Sequence, residues 1–172
     1  MVQFATYSSP FGSVQIGHRE GRIVSIRCGS SAAPHMPSEV SELANLQLQE
    51  YFAGKRTTFD LPLELEGTPF QLAVWNSMRE IPYGETRTYG QLAAAIGKPT
   101  ASRAVGQAAN RNPIWIVIPC HRIIGSNGTL TGYGGGLPIK QTLLELEGAL
   151  PRSVALPMRH PADPEDLSSP KP

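Results

Sequence analysis

Apolar and polar positions alternate with the period of a strand at the start of the chain and then shift to the spacing of a helix. Residues 2–7 and 14–17 read as short strands separated by Ser8-Ser9-Pro10-Phe11-Gly12. Residues 23–28 follow the turn signal Glu20-Gly21, so a small antiparallel sheet is expected. Ser38 can cap a helix running to about residue 52, because Val40, Ala44, Leu48 and Tyr51 fall near one face and Gly54 stands just past its end. Phe59, Leu61, Leu63 and Leu65 then alternate as in an extended segment.

A second module opens at Thr68-Pro69-Phe70-Gln71. This places a capping hydroxyl, a proline at the first helical position, where its missing N–H leaves no bond unmade, and a glutamine three residues after the cap. A helix to about Glu80 should follow. Thr88-Tyr89-Gly90-Gln91 repeats that spacing ahead of residues 92–96, and after Gly97-Lys98-Pro99 the hydroxyl of Thr100 is placed to cap a helix over residues 101–109. Two short helices joined by a tight turn make a helix-turn-helix. Apart from Arg103 and Gln107 the second of them carries small side chains, which suits close approach either to the core or to a partner. Residues 114–118 form a continuous apolar run fit for a buried strand, ending at Pro119-Cys120-His121-Arg122. Glycines make residues 125–136 a loop, and a last helix over about 138–147 would bury Ile139, Leu143 and Leu146 and stop at Gly148.

The pattern gives a mixed α/β (α+β) fold: an antiparallel-sheet domain over residues 1–67, then a mainly helical, winged-helix-like domain with the helix-turn-helix over residues 68–150. Residues 151–172, with several prolines and few large apolar side chains, are expected to be disordered. A chain of 172 residues can bury a core without disulfide or metal staples. No apolar run approaches the ~20 residues of a membrane helix, so no membrane contact and a soluble, cytoplasmic protein are expected. The two cysteines, Cys28 and Cys120, lack the spacing of a disulfide framework, and His18 and His35 around Cys28 match no zinc template. No metal is expected.

The net charge of +1 hides an asymmetry. Residues 1–67 hold five basic and seven acidic side chains. Residues 86–144 contain no Asp or Glu at all, while Arg87, Lys98, Arg103, Arg111, Arg122 and Lys140 fall inside. A positive face sized for a polyanion follows, and it turns the small-residue helix toward DNA rather than plain packing.

A cysteine after Ile-Val-Ile-Pro suits an ordinary buried position. The neighbouring His121 and the charge of Arg122 also suit a thiol that ionises and attacks carbon, given a third group to orient the base. Glu145 and Glu147, at the end of the last helix, are the carboxylates on offer.

At these residues the chain resembles the O6-alkylguanine-DNA alkyltransferase family, the methylated-DNA–protein-cysteine S-methyltransferases. Ile118-Pro119-Cys120-His121-Arg122 is similar to the family's active-site motif, with Asn112-Pro113 before it at the family distance. Thr131-Gly132-Tyr133-Gly134-Gly135-Gly136 resembles its binding loop, Arg103-Ala104-Val105-Gly106 its recognition helix, and Ile81-Pro82-Tyr83-Gly84-Glu85-Thr86 with Tyr89 the preceding segment. The resemblance implies direct-reversal DNA repair without any cofactor: single-turnover, irreversible transfer of an alkyl group from O6-alkylguanine, and from O4-alkylthymine, in double-stranded DNA to Cys120 of a monomeric protein. By family roles His121, held by Glu147, draws the thiol proton through a water. Tyr89 donates to the base, and Asn112 braces the turn before the active-site strand. DNA would be held by Thr100, Ala101, Ser102, Arg103, Ala104, Gly106, Gln107 and Tyr89, with Arg103 filling the gap left by the flipped base. The base would sit among Tyr133, Gly134, Gly135, Ile118 and Pro119. Gly134 stands where some members have serine, which implies a lost side-chain contact and room for alkyl groups larger than methyl. The alternative is a non-catalytic lesion-binding protein, but relatives of that kind lack the acceptor cysteine that stands here. A Cys-His hydrolase would leave Arg103 and the helix-turn-helix without a purpose.

Overall fold

The computed structural model describes residues 1–29 and 31–151, so the expectation for most of the tail lies outside the described residues. Strands β1 (Gln3–Ser9), β2 (Gly12–Arg19) and β3 (Arg22–Cys28) form an antiparallel sheet in the order β1-β2-β3, as the alternation indicates. Their fully buried Ala5, Val14, Ile16, Ile23 and Ile26 point into the core, against helix α1 (Glu39–Phe52) with its buried Ala44, Leu48 and Tyr51. Ser38 caps α1 in a reciprocal capping box whose second member is the hydroxyl of Ser41.

Beyond α1 the alternating residues 59–65 touch β3 rather than forming a strand of their own. The Ile23 amide donates to Pro62 O at 2.8 Å and the Glu64 amide to Ile23 O at 2.9 Å. Further along β3, the Ile26 amide donates to Pro113 O at 2.9 Å and accepts at its own carbonyl from Trp115 N at 3.0 Å. The N-terminal sheet therefore holds the segment that leads to Cys120.

The helices α2 (Pro69–Arg79) and α3 (Tyr89–Ala95) begin where their capping boxes, Thr68 with Gln71 and Thr88 with Gln91, say they should. Helix α4 (Ser102–Asn110) starts later than expected. Ala101, not Thr100, is its N-cap, and no side chain caps it. Helix α5 (Leu137–Leu146) follows the glycine loop, with Glu147 as C-cap and Gly148 at φ 77° just beyond it, a left-handed conformation that glycine adopts without strain. A feature without a sequence signal is a two-residue parallel pair, β4 (Arg87–Thr88) with β5 (Ile123–Ile124), which ties the start of α3 to the residues after the active-site turn.

Ile114, Trp115, Ile116 and Ile118 are buried as expected and Val117 is half-buried, but residues 114–118 are not a regular strand. Ile116 adopts φ 72°, and the amides of Val117 and Ile118 turn back to Trp115 O and Ile114 O. An apolar run records burial and does not by itself specify the backbone path. One hydrophobic cluster runs without a break from Val14 and Ile26 of the sheet through Trp75 and Val105 to Ile118 and Leu143.

Candidate active site

Cys120 sits at the end of that turn, as the first residue of a single 3₁₀ turn, Cys120–Arg122, and is 9% exposed. Asn112 is fully buried and fixes the approach: its Nδ2 donates to Ile118 O at 2.7 Å while its Oδ1 accepts from the Ile114 amide at 3.0 Å. An amide side chain supplies both functions at once, which neither Asp nor Leu could do. Burial pushes the Cys120 thiol up from its ordinary value, and the Asn112 side chain and the charge of Lys140 oppose that rise.

Next along the turn, His121 is wholly buried. Its Nε2 lies 2.6 Å from Glu147 Oε2, while among the described residues its Nδ1 finds no hydrogen-bond partner. Burial lowers the His121 pKa, against the raising effect of Glu147, so the ring is neutral at pH 7. Glu147 can only accept at Nε2, so Nε2 carries the proton and Nδ1 carries the lone pair, the arrangement of a base. Burial alone would raise the Glu147 carboxyl as well. The hydrogen bonds from His121 and Arg122, with the charge of Arg122, outweigh it and hold the group well below the usual carboxylate range.

Arg122 is placed differently from the sequence reading, which had its charge favouring the Cys120 thiolate. Its guanidinium turns to Glu147, with Nε 2.8 Å from Oε1 and Nη2 3.1 Å from Oε2, and Nη1 donates to Ile81 O at 2.7 Å. The planar fork fits a carboxylate, and a buried carboxylate needs a partner more than a thiol does. The cation placed to act on Cys120 is Lys140, which is 0% exposed. Its Nζ donates to Thr131 O at 2.7 Å, and burial brings its ammonium down to about 8. Of the six basic residues in the acid-free stretch, Arg122 and Lys140 are thus interior, Arg87 is half-buried and paired with Glu85 at 3.2 Å, and Lys98, Arg103 and Arg111 are exposed.

On the outer side of α4, Arg103, Ala104 and Gln107 are exposed while Val105, Ala108 and Ala109 are buried, and the Trp75 indole donates to Ala108 O at 2.9 Å. Thr100 is exposed ahead of the helix, with Ala101 and Ser102 half-buried at its start. A hollow of about 430 Å³ lies between α3 and α4, lined by Tyr89, Ser102, Arg103 and Gly106 among others. The Tyr89 hydroxyl is 3.2 Å from Thr131 O, so α3 reaches the glycine loop.

In that loop Tyr133 packs its ring 5.7 Å from that of Trp115, and its buried hydroxyl has no partner among the described residues. At Gly134 a Cβ would lie 2.7 Å from Trp115 Cζ2, so the indole fills the space a serine side chain would need. Tyr51 is a residue the sequence reading placed only in the core. Its hydroxyl donates to Glu147 Oε2 at 2.6 Å across 96 positions of sequence, a separation that no local signal spans. The Gly84 amide donates to the other oxygen, Oε1, at 3.2 Å.

Residues 69–149 match the family model described as 6-O-methylguanine DNA methyltransferase, DNA binding domain, and residues 2–65 match the one described as its ribonuclease-like domain. The methylated-DNA–protein-cysteine methyltransferase of Methanosarcina acetivorans is 52% identical over 155 residues, covering 86% of this chain and 99% of that protein. The constitutive one of Bacillus subtilis is 46% identical, covering 86% of this chain and 96% of its own. Among solved structures, Mycobacterium tuberculosis OGT in complex with DNA is similar at a TM-score of 0.79 and 45% identity, covering 86% of this chain and 93% of that one. The chain therefore belongs to the methylated-DNA–protein-cysteine methyltransferase family, enzymes of direct-reversal DNA repair that bind DNA and move a methyl group to a cysteine.

Proposed function

We propose that Cys120 is the acceptor and that the lesion is an O6-alkylated guanine, or an O4-alkylated thymine, flipped out of duplex DNA. The observation that carries this reading is the His121 ring, tied through Nε2 to a buried carboxylate and, among the described residues, left with an unpartnered Nδ1 one residue from the buried thiol. In the reaction, Nδ1 takes the Cys120 proton through a water. The thiolate attacks the alkyl carbon from the side opposite the base oxygen, the S–C bond forms as the C–O bond breaks, and the electron pair stays on the base. Tyr89 leaves Thr131 and gives its phenolic proton to the ring, so the base departs neutral; the proton held on His121 then passes to solvent and the Tyr89 phenolate takes one back from solvent, which closes the count. The thioether is stable, so each molecule reacts once, with no cofactor or metal.

Arg103 fills the stack behind the flipped base. Thr100, Ala101, Ser102, Ala104, Gly106 and Gln107 border the duplex, with the close approach that small side chains allow. Ile118, Pro119, Tyr133, Gly134 and Gly135 wall the base pocket, and Asn112 holds the turn. We read residues 1–67 and 68–150 as two units and the working form as a monomer. Peptide mapping by mass spectrometry after reaction with an O6-methylguanine duplex tests the assignment. One added methyl per molecule, on Cys120, is expected. Modification of Cys28, or several turnovers per molecule, overturns it.

A further inference from the structure

Glu147 is the most heavily bonded side chain of the site, and one of its donors comes from outside the region that carries the motifs. Oε2 accepts from His121 Nε2, Arg122 Nη2 and Tyr51 OH, and Oε1 from Arg122 Nε and the Gly84 amide. Tyr51 belongs to α1, which packs on the N-terminal sheet. Its ring is fully buried and fixed by Phe52, Phe59 and Tyr83, with centroids 5.5 to 6.2 Å away, so the hydroxyl has little freedom to point elsewhere.

Resting on the reading of His121 as the base, we propose that Tyr51 is a positioning residue for alkyl transfer: its hydroxyl shares Glu147 Oε2 with His121, fixing the carboxylate and limiting how strongly it draws the imidazole proton. Hydrogen-bond donors that converge on one carboxylate oxygen compete for its electron density. Withdrawal of the Tyr51 donor strengthens the bond from Oε2 to His121, which makes the ring easier to protonate and thus a base that is lost at higher pH. The other groups that act on the ring are Arg122, adjacent in the 3₁₀ turn, and Lys140 on α5. Both are cations that disfavour a second proton, and both are unchanged by a substitution at residue 51.

Tyr51→Phe removes the hydroxyl and keeps the ring. Single-turnover transfer from an O6-methylguanine duplex is measured against pH within the range where circular dichroism shows the folded state. The His121 titration is followed separately by NMR in unreacted protein. The expected result is an acid limb moved up by about half a pH unit or more, hence a rate reduced about threefold or more at a given pH on that limb, with a parallel rise in the His121 midpoint. An unmoved midpoint and an unmoved limb in a folded variant overturn the proposal and leave Tyr51 as packing. Tyr51→Leu, which also removes the ring, is expected to lower Tm further than Tyr51→Phe. A limb moved by Leu alone, in proportion to lost stability, again overturns it. If His121→Gln reacts at the wild-type rate, the base reading fails. The NMR midpoint in Tyr51→Phe still decides whether the Tyr51 bond tunes the ring.

Discussion

Single side chains in this site are set by what their neighbours leave unsatisfied. Arg122 is the cation among the partners that make Glu147 tolerable in the interior, and removing one member of a buried ion pair leaves the other charge without its counterion. Arg122→Met should therefore destabilise by ~3–5 kcal/mol, lowering Tm by roughly 6–20 °C for a chain of this size, as thermal denaturation would register. A Tm within a degree or two of wild type would mean that the carboxyl simply takes up a proton. Gly134→Ser should cost ~1–3 kcal/mol through overpacking against Trp115. The second substitution Trp115→Phe should return part of that loss, and additivity of the two in unfolding experiments would refute the contact. These side chains were unevenly legible in the sequence. Cys120, His121 and Asn112 lie within nine positions of one another and their types announce their chemistry. The destination of Arg122, the burial of Lys140 and the bond from Tyr51 depend on which distant carboxylate or carbonyl the fold brings near, and residue type carries no record of that.

At the scale of elements, local rules worked where local groups settle the backbone. Thr68 and Thr88 start their helices because hydroxyl and glutamine satisfy amides a turn away. The same rule misplaced the start of α4, where Ala101 has no capping side chain, and it missed the β4–β5 pair, whose partners Arg87 and Ile123 are joined only by tertiary structure. The turn over residues 114–118 was hidden because burial makes strand and turn equally apolar. Helix α4 also provides a test that separates DNA handling from chemistry. Base flipping costs a few kcal/mol, and a side chain in the vacated stack offsets part of it. Arg103→Ala should slow repair within duplex DNA by about 10- to 1000-fold, corresponding to ~1.4 to 4 kcal/mol at the transition state, and leave reaction with a free O6-alkylated guanine base nearly unchanged. Equal losses on both substrates would assign Arg103 to the fold instead.

For the whole molecule, the same carboxylate and imidazole govern tolerance of acid. Glu147 has a folded pKa below its unfolded value, so its contribution is complete above the ordinary carboxyl pKa and is lost as pH falls toward the folded one. His121 is also depressed, and below its ordinary value of 6.5 the unfolded chain takes up a proton that the folded ring refuses. Both effects have one sign: stability should decline from about pH 6.5 downward and fall more steeply below about 4.5, as denaturant titrations at stepped pH would measure. The steeper fall should be missing in Glu147→Gln. Because Tyr51 of α1 bonds Glu147 across 96 positions of sequence, protonation of Glu147 should weaken that one contact between α1 and the C-terminal residues.

The closed packing around Cys120 has a further consequence. An enzyme that cycles must balance the grip on its substrate against the release of product, and a nucleophile as enclosed as this one would be a handicap at every round. A molecule used once faces no such compromise. The glycine loop is held at Thr131 by Lys140 and Tyr89, and in the proposed reaction it has only to let a base in and let it out dealkylated, while the alkyl group stays behind for good. Selection on this site can therefore act on the first encounter alone, and supply of fresh protein, rather than turnover, sets the capacity of the repair.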